Sequence, residues 1–599
     1  MQRQFTPDKK LRRMDNRYYS IERNTQIIVS LLKAHNIRYI VASPGTTHMC
    51  FVGSVQHDPY FKVYSCVDER SAAYMACGIA AESGEPVVIT CTGATASRNY
   101  YSAMTEAYYR KLPIIAITAH QGNDRIGHLL EQNIDRRRLP NDVAKISVEA
   151  VYVENARDEH YCAIEVNKAL LECRRDGGGP VHINVFTHYS TDFTVRELPS
   201  VQIIKRHTAF EDLPIMPEGR IAVFIGSHKT FTAKETEALD TFCASHDAVA
   251  FCDHTSSYNG KYAIHCSLPL SQRFNDYPIR NLDLLVHIGE VTGDATSRKL
   301  NPKKVWRVSE DGEIRDSWGK LADVFEMSES YFFSHYSKTH ENKHEFLDEC
   351  KEISSSIQEK NCEMPLSTIW VAKQLSTNMP EGCNFQMGIW SSLRAMDYFD
   401  TPETANGNSN VGGFGIDGPL STLVGASLCN PNKLYFGLVG DLAFFYDVNV
   451  LGNKNVGNNL RIAMINNGRG NEMRYSFSPA ASLGEDGNLF LAAAGHNGKA
   501  SRTLVKHIAE DLGYEYLSAS TKEEFLKHKE RFLSPDIYDK PIIFEIFIED
   551  YHDEEKAWEA LTSMDADKEY LMKRKIKSGI KSVLGNKGTA IAKQLIGNR

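Results

Sequence analysis

No run of about 18 apolar residues occurs in the 599-residue chain, which excludes an ordinary membrane-spanning helix. The opening stretch, MQRQFTPDKKLRRMDNRYYS, is polar and basic and lacks the apolar core of a signal peptide, so a cytoplasmic protein is expected. Thirteen cysteines are scattered with no CxxC pair among them. Neither a zinc site nor a disulfide framework is suggested, and reduced, mostly buried thiols are expected. A basic excess is also missing: the net charge of −8 argues against general nucleic-acid binding. No GxGxxG fingerprint is present, so neither flavin nor NAD is expected.

What remains is an ordinary globular composition and enough chain for three or four domains. From Asn24 the pattern alternates strand and helix. Thr25–His35 has amphipathic helical spacing, Ile37–Ala42 reads as a strand ending in SPGTTH, and Lys62–Val67 as a strand followed by the helix DERSAAYMACGIAAES. Val87–Cys91 ends in TGATASRN, and VHINVF closes this α/β region. Such alternation implies parallel sheets with both faces covered. The polar, proline-bearing stretch Leu198–Glu218 reads as a linker, and a second α/β unit starts at Arg220. His228, His246 and His254 lack ligand-type spacing and are expected as surface or loop residues. Residues 335–365 read as a charged helical connector.

The most informative stretch is KLYFGLVGDLAFFYDVNVLGNKNVGNNLRIAMINNGRG, residues 433–470. Leu434–Val439 and Leu460–Ile465 are short apolar runs fit for buried strands, with helical spacing over Ala443–Leu451 between them. The polar endpoints Gly440-Asp441 and Asn466-Asn467-Gly468 then fall at the carboxyl ends of parallel strands, where open α/β sheets bind ligands. Asp441 offers a carboxylate, Asn467 an amide oxygen, and Arg469 a backbone carbonyl. Hard oxygen donors of this kind suit Mg²⁺ or Ca²⁺, and Gly440, Gly468 and Gly470 allow close approach of a bulky anion. An ordinary nucleotide-like turn with a polar cap is the plainer reading. Glu69, just past a strand and opening a helix, is likewise either a functional carboxylate or a glutamate favoured by the helix macrodipole.

Gly-Asp followed some two dozen residues later by Asn-Asn resembles the diphosphate- and metal-binding motif of thiamine-diphosphate enzymes. Leu442 stands where that motif usually has glycine, and GDLAFFYD with GIDGPLST is similar to the menaquinone-pathway synthases that make succinyl-enolpyruvyl-hydroxycyclohexene-carboxylate. The series SPG…DERSAAYMACGIA…TGATASRN…KLPIIAITA resembles the pyrimidine-binding domain of the same enzymes. The resemblance covers roughly residues 22–550. It implies a pyrimidine-binding domain (21–197), a central Rossmann-like domain (198–345) and a diphosphate-binding domain (346–565); outside it, residues 1–20 read as a loose N-terminal arm and residues 566–599 as a basic helical C-terminal tail. It further implies thiamine diphosphate and Mg²⁺ as cofactors, with Asp441, Asn467 and the Arg469 carbonyl as metal ligands. Gly45, Ile416, Gly440, Leu442 and Gly468 would contact the cofactor. Glu69 would hold the aminopyrimidine nitrogen N1′ and so set its tautomer. Ile416 would prop a bent cofactor, although simple core packing would use it equally well. Gln132 and Arg394 would lie near substrate; Arg394 also fits a surface ion pair, and Arg136, Arg137 and Arg138 fit an exposed basic loop. NGRGNEMRYSFSPA reads as a mobile loop over the diphosphate.

Two departures bear on substrate. The family's SPGSR is SPGTT here, so Thr47 replaces an arginine, and Val411 replaces another before GIDG. Losing guanidinium groups loses bidentate carboxylate binding, which implies a different substrate; His48 and Arg98 are candidate replacement contacts. The expectation is an enzyme that decarboxylates a 2-oxo acid and passes the acyl unit to an acceptor. A plain decarboxylase and a non-catalytic scaffolding homologue are the alternatives. The resemblance implies a homodimer or homotetramer. Finally, Leu571–Arg599 carries eight Lys or Arg and no acids, with apolar residues at helical spacing. It fits either a basic helix touching an anionic membrane surface or a subunit-docking tail.

Overall fold

The computed structural model describes residues 18–337, 343–360 and 362–566. They form two compact units, residues 18–211 with Gly312–Glu326 and Asp212–Asp311 with residues 327–566. In the first, β1 (Tyr39–Ala42), β2 (Lys62–Ser65), β3 (Val87–Cys91), β4 (Ile114–His120), β5 (Ser147–Ala150) and β6 (Val181–Phe186) make a sheet. Its order is β2-β1-β3-β4-β6-β5, parallel throughout. Alternate residues feed two cores. Val88, Ile115 and Ile117 pack with the helix Arg23–Ala34, whereas Val87, Ile89, Ile114 and Ala116 pack with the helix Glu69–Ser83. Period-2 side chains buried on both sides are why these strands read as continuous Val/Ile runs.

Residues 205–208, inside the expected linker, form strand β7 (Lys205–Thr208). In the second unit, β8 (Ile221–Ile225), β9 (Val249–Cys252), β10 (Ala263–His265), β11 (Asn281–Ile288) and β12 (Asn301–Ser309) pair in parallel as β10-β9-β8-β11-β12. β13 (Leu321–Glu326) returns to the first unit and gives β7 its parallel partner. That pairing explains why a polar stretch is a strand: its ladder is non-local. Of the three histidines, His254 does lie in a loop but is buried at 6% exposure. Its Nε2 lies 3.1 and 3.0 Å from the carbonyls of Met396 and Phe399.

The remaining strands are β14 (Asn384–Met387), β15 (Asn406–Ser409), β16 (Tyr435–Gly440), β17 (Leu460–Asn466), β18 (Glu515–Ala519) and β19 (Ile542–Phe547). Their order, β15-β14-β16-β17-β19-β18, repeats that of the first sheet strand for strand. All are parallel. In each sheet the order reverses beside the first strand, between β1 and β3 and between β14 and β16, leaving a crevice at the carboxyl edge. The three parallel α/β sheets are those expected. The basic tail from residue 567 onward and residues 1–17 of the arm lie outside the described residues. Residues 18–20 are not loose: Tyr19 bridges Val195. Among the described residues no helix is long and apolar enough to cross a membrane.

The helix expected over Ala443–Leu451 is broken. An α-helix spans Asp441–Tyr446, and a separate 3₁₀ turn spans Val448–Gly452. Between them the Asp447 carboxylate accepts the Ser421 backbone N–H at 2.5 Å and its hydroxyl at 2.5 Å. It thereby caps the helix Pro419–Ser427, which packs beside it on the same face of the sheet, satisfying a first-turn donor and complementing the positive helix end. Asp447→Ala is expected to lower stability by about 1–2 kcal/mol, read as a lower melting temperature; Asp447→Asn, which keeps one acceptor, should lose less.

Candidate functional site

The first crevice is lined by the turn after β1. A Cβ at Gly45 would lie 2.7 Å from Thr92 Cβ, so only glycine fits beside the end of β3. Thr47 is buried, its hydroxyl meeting that of Thr92 and accepting the Gly93 N–H at 3.1 Å. It therefore ties β1 to β3 and offers no charge. His48 is also buried, with Nδ1 3.1 Å from Thr90 Oγ1. Desolvation holds its pKa down at about 4, so it is neutral. Glu69 opens the helix Glu69–Ser83 immediately after the cap Asp68, and Asn99 Nδ2 donates to its Oε2 at 3.2 Å. Arg98 is exposed and donates to the Asp135 carbonyl at 2.8 Å. That contact fastens the 128–140 loop, in which Gln132 is exposed at φ +63°.

The three arginines of that loop do not share an environment. Arg137 and Arg138 are exposed, Arg137 pairing with Asp135 at 2.7 Å. Arg136 is turned inward at 3% exposure, its Nη2 donating to the Ala119 carbonyl at 2.8 Å. Burial lowers its pKa. Nothing in the run of three identical residues foretells which one is inside.

At the third sheet, Asp441 follows β16 directly and is 3% exposed. Burial raises its pKa to about 7 against the pull of backbone N–H groups at Leu442 and Gly468. Among the described residues no lysine, arginine or histidine forms an ion pair with this buried carboxylate. The asparagine pair at the end of β17 divides by strand alternation. Asn466 Nδ2 donates inward to the buried Glu545 at 2.6 Å, and Tyr516 completes that carboxylate at 2.7 Å. Asn467 is on the other side. Its Oδ1 accepts the Arg469 N–H at 3.3 Å, and its side chain hydrogen-bonds Glu554. Glu554 is fully buried and also accepts Thr368 N–H at 3.0 Å and Thr368 Oγ1 at 2.6 Å. Desolvation raises its pKa to about 7.

Gly468 takes φ +70°, and Lys499 lies where its Cβ would be, 2.8 Å away. The Arg469 side chain turns outward to Asn488 at 3.0 Å and stacks 4.2 Å from the Tyr551 ring. Leu442 reaches the loop at Gly470, 3.5 Å from a Cβ built there. Gly440 has open space at its Cβ position. The donor set is thus all oxygen, with one negative charge and a glycine-flanked approach, which fits a hard divalent cation carrying a diphosphate.

Across the crevice, the segment after β14 carries Trp390 at φ +66° and then the helix Ser391–Met396. Arg394 on that helix donates to Glu472 of the loop after β17, and its guanidinium lies 5.0 Å over the Trp390 ring. Trp390 in turn packs on Phe414 at 5.1 Å, two residues before the half-buried Ile416. Val411 is 4% exposed in the apolar core, so no charge is offered at that position either. The structure therefore groups Asp441, Leu442, Asn467, Gly468 and Arg469 on one side of the crevice, and Arg394 with the Phe414–Ile416 segment on the other. Glu472, Glu554 and Trp390 were not apparent from the sequence. Each matters through partners distant in the chain, and no local spacing marks them.

Residues 23–139 match the family described as "Thiamine pyrophosphate enzyme, N-terminal TPP binding domain". The 2-succinyl-5-enolpyruvyl-6-hydroxy-3-cyclohexene-1-carboxylate synthase of Bacteroides thetaiotaomicron is 29% identical over 564 residues, covering 88% of this chain and 96% of its own. That of Bacteroides fragilis is 29% identical over 558 residues with the same coverage. The Flavobacterium psychrophilum synthase is 26% identical over 520 residues, covering 82% and 90%. The chain is similar over most of its length to these synthases, and over residues 23–139 to the N-terminal domain of thiamine pyrophosphate enzymes.

Proposed function

We propose that the protein is a thiamine-diphosphate- and Mg²⁺-dependent enzyme that decarboxylates a 2-oxo acid and transfers the acyl unit to an acceptor. The observation that carries the reading is the buried Asp441 carboxylate, bonded by backbone N–H groups at Leu442 and Gly468, with Asn467 at the end of the adjoining strand of the third sheet. Asp441, Asn467 Oδ1 and the Arg469 carbonyl would hold the metal, with Gly440 and Gly468 admitting the diphosphate. Glu554, bonded to the Asn467 side chain, would keep the amide oxygen facing the cation. When bound, thiamine diphosphate supplies the electron sink for the pair left behind as CO₂ departs. Glu69 would hold a proton against the pyrimidine N1′, with Asn99 fixing the carboxylate. The residues around Gly45 and Ile416 would shape the cofactor, and His48, neutral and buried, would act as a positioning contact rather than an acid.

Carboligation is favoured by the relatives, which are synthases by name. A plain decarboxylase, whose acceptor is a proton, draws support from one feature. Thr47 and Val411 are buried without charge, and an acceptor with several carboxylates would lack partners there. Gln132 and Arg98 remain candidate substrate contacts at the first crevice. Neither crevice alone carries all the groups this chemistry needs, and a homodimer or homotetramer, in the cytoplasm, belongs to the proposal. A scaffolding role is disfavoured by the retention of Glu69, Asp441 and Asn467 together.

Calorimetric titration with thiamine diphosphate is expected to show saturable binding that requires Mg²⁺ and is weakened about 100-fold or more by Asp441→Ala. No binding at any Mg²⁺ concentration would remove the enzyme reading. Glu69→Gln should bind the cofactor normally yet release CO₂ from the best 2-oxo acid about 100-fold more slowly. Unchanged turnover in that variant would take Glu69 out of the reaction.

A further inference from the structure

Arg394 and Glu472 form an ion pair at the crevice of the third sheet, and both oxygens of the carboxylate are engaged. Arg394 Nη1 donates to Oε1, and Ser391 Oγ donates to Oε2 at 3.2 Å. This is not a surface pair: the side chains are 24% and 11% exposed. The wall around it is held in costly backbone conformations, with Trp390 at φ +66° and Phe414 at φ +52°. Non-glycine residues persist there when their surroundings impose it, as ligand sites do. Both rings remain partly exposed. Glu472 itself lies five residues beyond Asn467, on the loop that carries the candidate metal ligands.

We propose that Glu472 is a specificity-determining residue, an internal carboxylate that occupies Arg394 so that the substrate received at this wall carries no distal carboxylate. The proposal deepens the function proposed above and rests on it for a 2-oxo acid as substrate. A guanidinium fork binds one carboxylate well. With Glu472 already there, a second carboxylate would meet a like charge in a half-desolvated place, where repulsion is poorly screened. Thr47 and Val411 point the same way, since neither offers a cation. What the wall does offer is the aromatic surface of Trp390 and Phe414, which suits an apolar side chain. The substrate class is therefore a monocarboxylic 2-oxo acid with an aliphatic or aromatic side chain.

The test uses pentanoate and glutarate, five-carbon acids that differ by one terminal carboxylate and lack the keto group, so neither is turned over. Binding is followed by ligand-observed NMR, with and without thiamine diphosphate and Mg²⁺. The native chain should prefer pentanoate. Glu472→Gln, which keeps the shape and the Ser391 contact, should tighten glutarate by about tenfold or more, the scale of one charge-assisted contact, and leave pentanoate within about twofold. Adding Arg394→Met should abolish the gain. A native chain that prefers glutarate, a Gln variant with unchanged preference, no binding of either acid to either form, or a gain that survives Arg394→Met would each overturn the proposal. A merely structural clamp would instead shift melting temperature or cofactor affinity without changing the preference. An inverted preference in a chain that takes up no cofactor would leave Glu472 its role and remove the cofactor chemistry. Cofactor uptake without inversion would remove the role of Glu472 alone.

Discussion

A parallel sheet buried on both faces has only its carboxyl edge free for chemistry, and this constraint shapes the molecule twice. The first and third sheets share one strand order, so each has the same reversal point, beside β1 and beside β14. Strand interiors are spent on two apolar cores, one per face. Polar residues appear as the strands stop: Thr47 and Thr92 in the first sheet, Asp441, Asn466 and Asn467 in the third. The chemistry is concentrated there because backbone groups at strand ends need partners and the crevice gives ligands access.

Buried carboxylates then divide the third sheet's edge between structure and candidate chemistry. Glu545 is satisfied by Asn466 and Tyr516, Asp447 by Ser421, Glu554 by Thr368, and Glu472 by Arg394 and Ser391. Each buried acid with side-chain donors is held in place by them. Asp441 differs: its pKa is raised by burial, and only backbone N–H groups oppose that rise. That difference is the physical ground for the proposed metal site.

The motif stretch 433–470 was legible because its signals are local. Apolar runs of strand length, glycines at the breaks and oxygen donors just past them identify two adjacent strand ends without reference to the rest of the chain. Helical spacing over Ala443–Leu451 misled for the complementary reason: the break at Asp447 is caused by Ser421, 26 residues earlier. The polar stretch around β7 is a strand because β13 lies beside it, and β13 is more than a hundred residues away.

The sequence by itself therefore determined the alternation of strand and helix, the parallel sheets and the placing of Asp441 and Asn467 just past strand ends, because periodicity and turn chemistry act over a few residues. Tertiary structure alone decided which asparagine faces the crevice and which faces Glu545, that Arg136 is inside while Arg137 and Arg138 are not, and that Arg394 already holds a carboxylate. Those outcomes depend on which side chains meet across the fold, and the energy of a buried charge is set by its partners rather than by its neighbours in sequence.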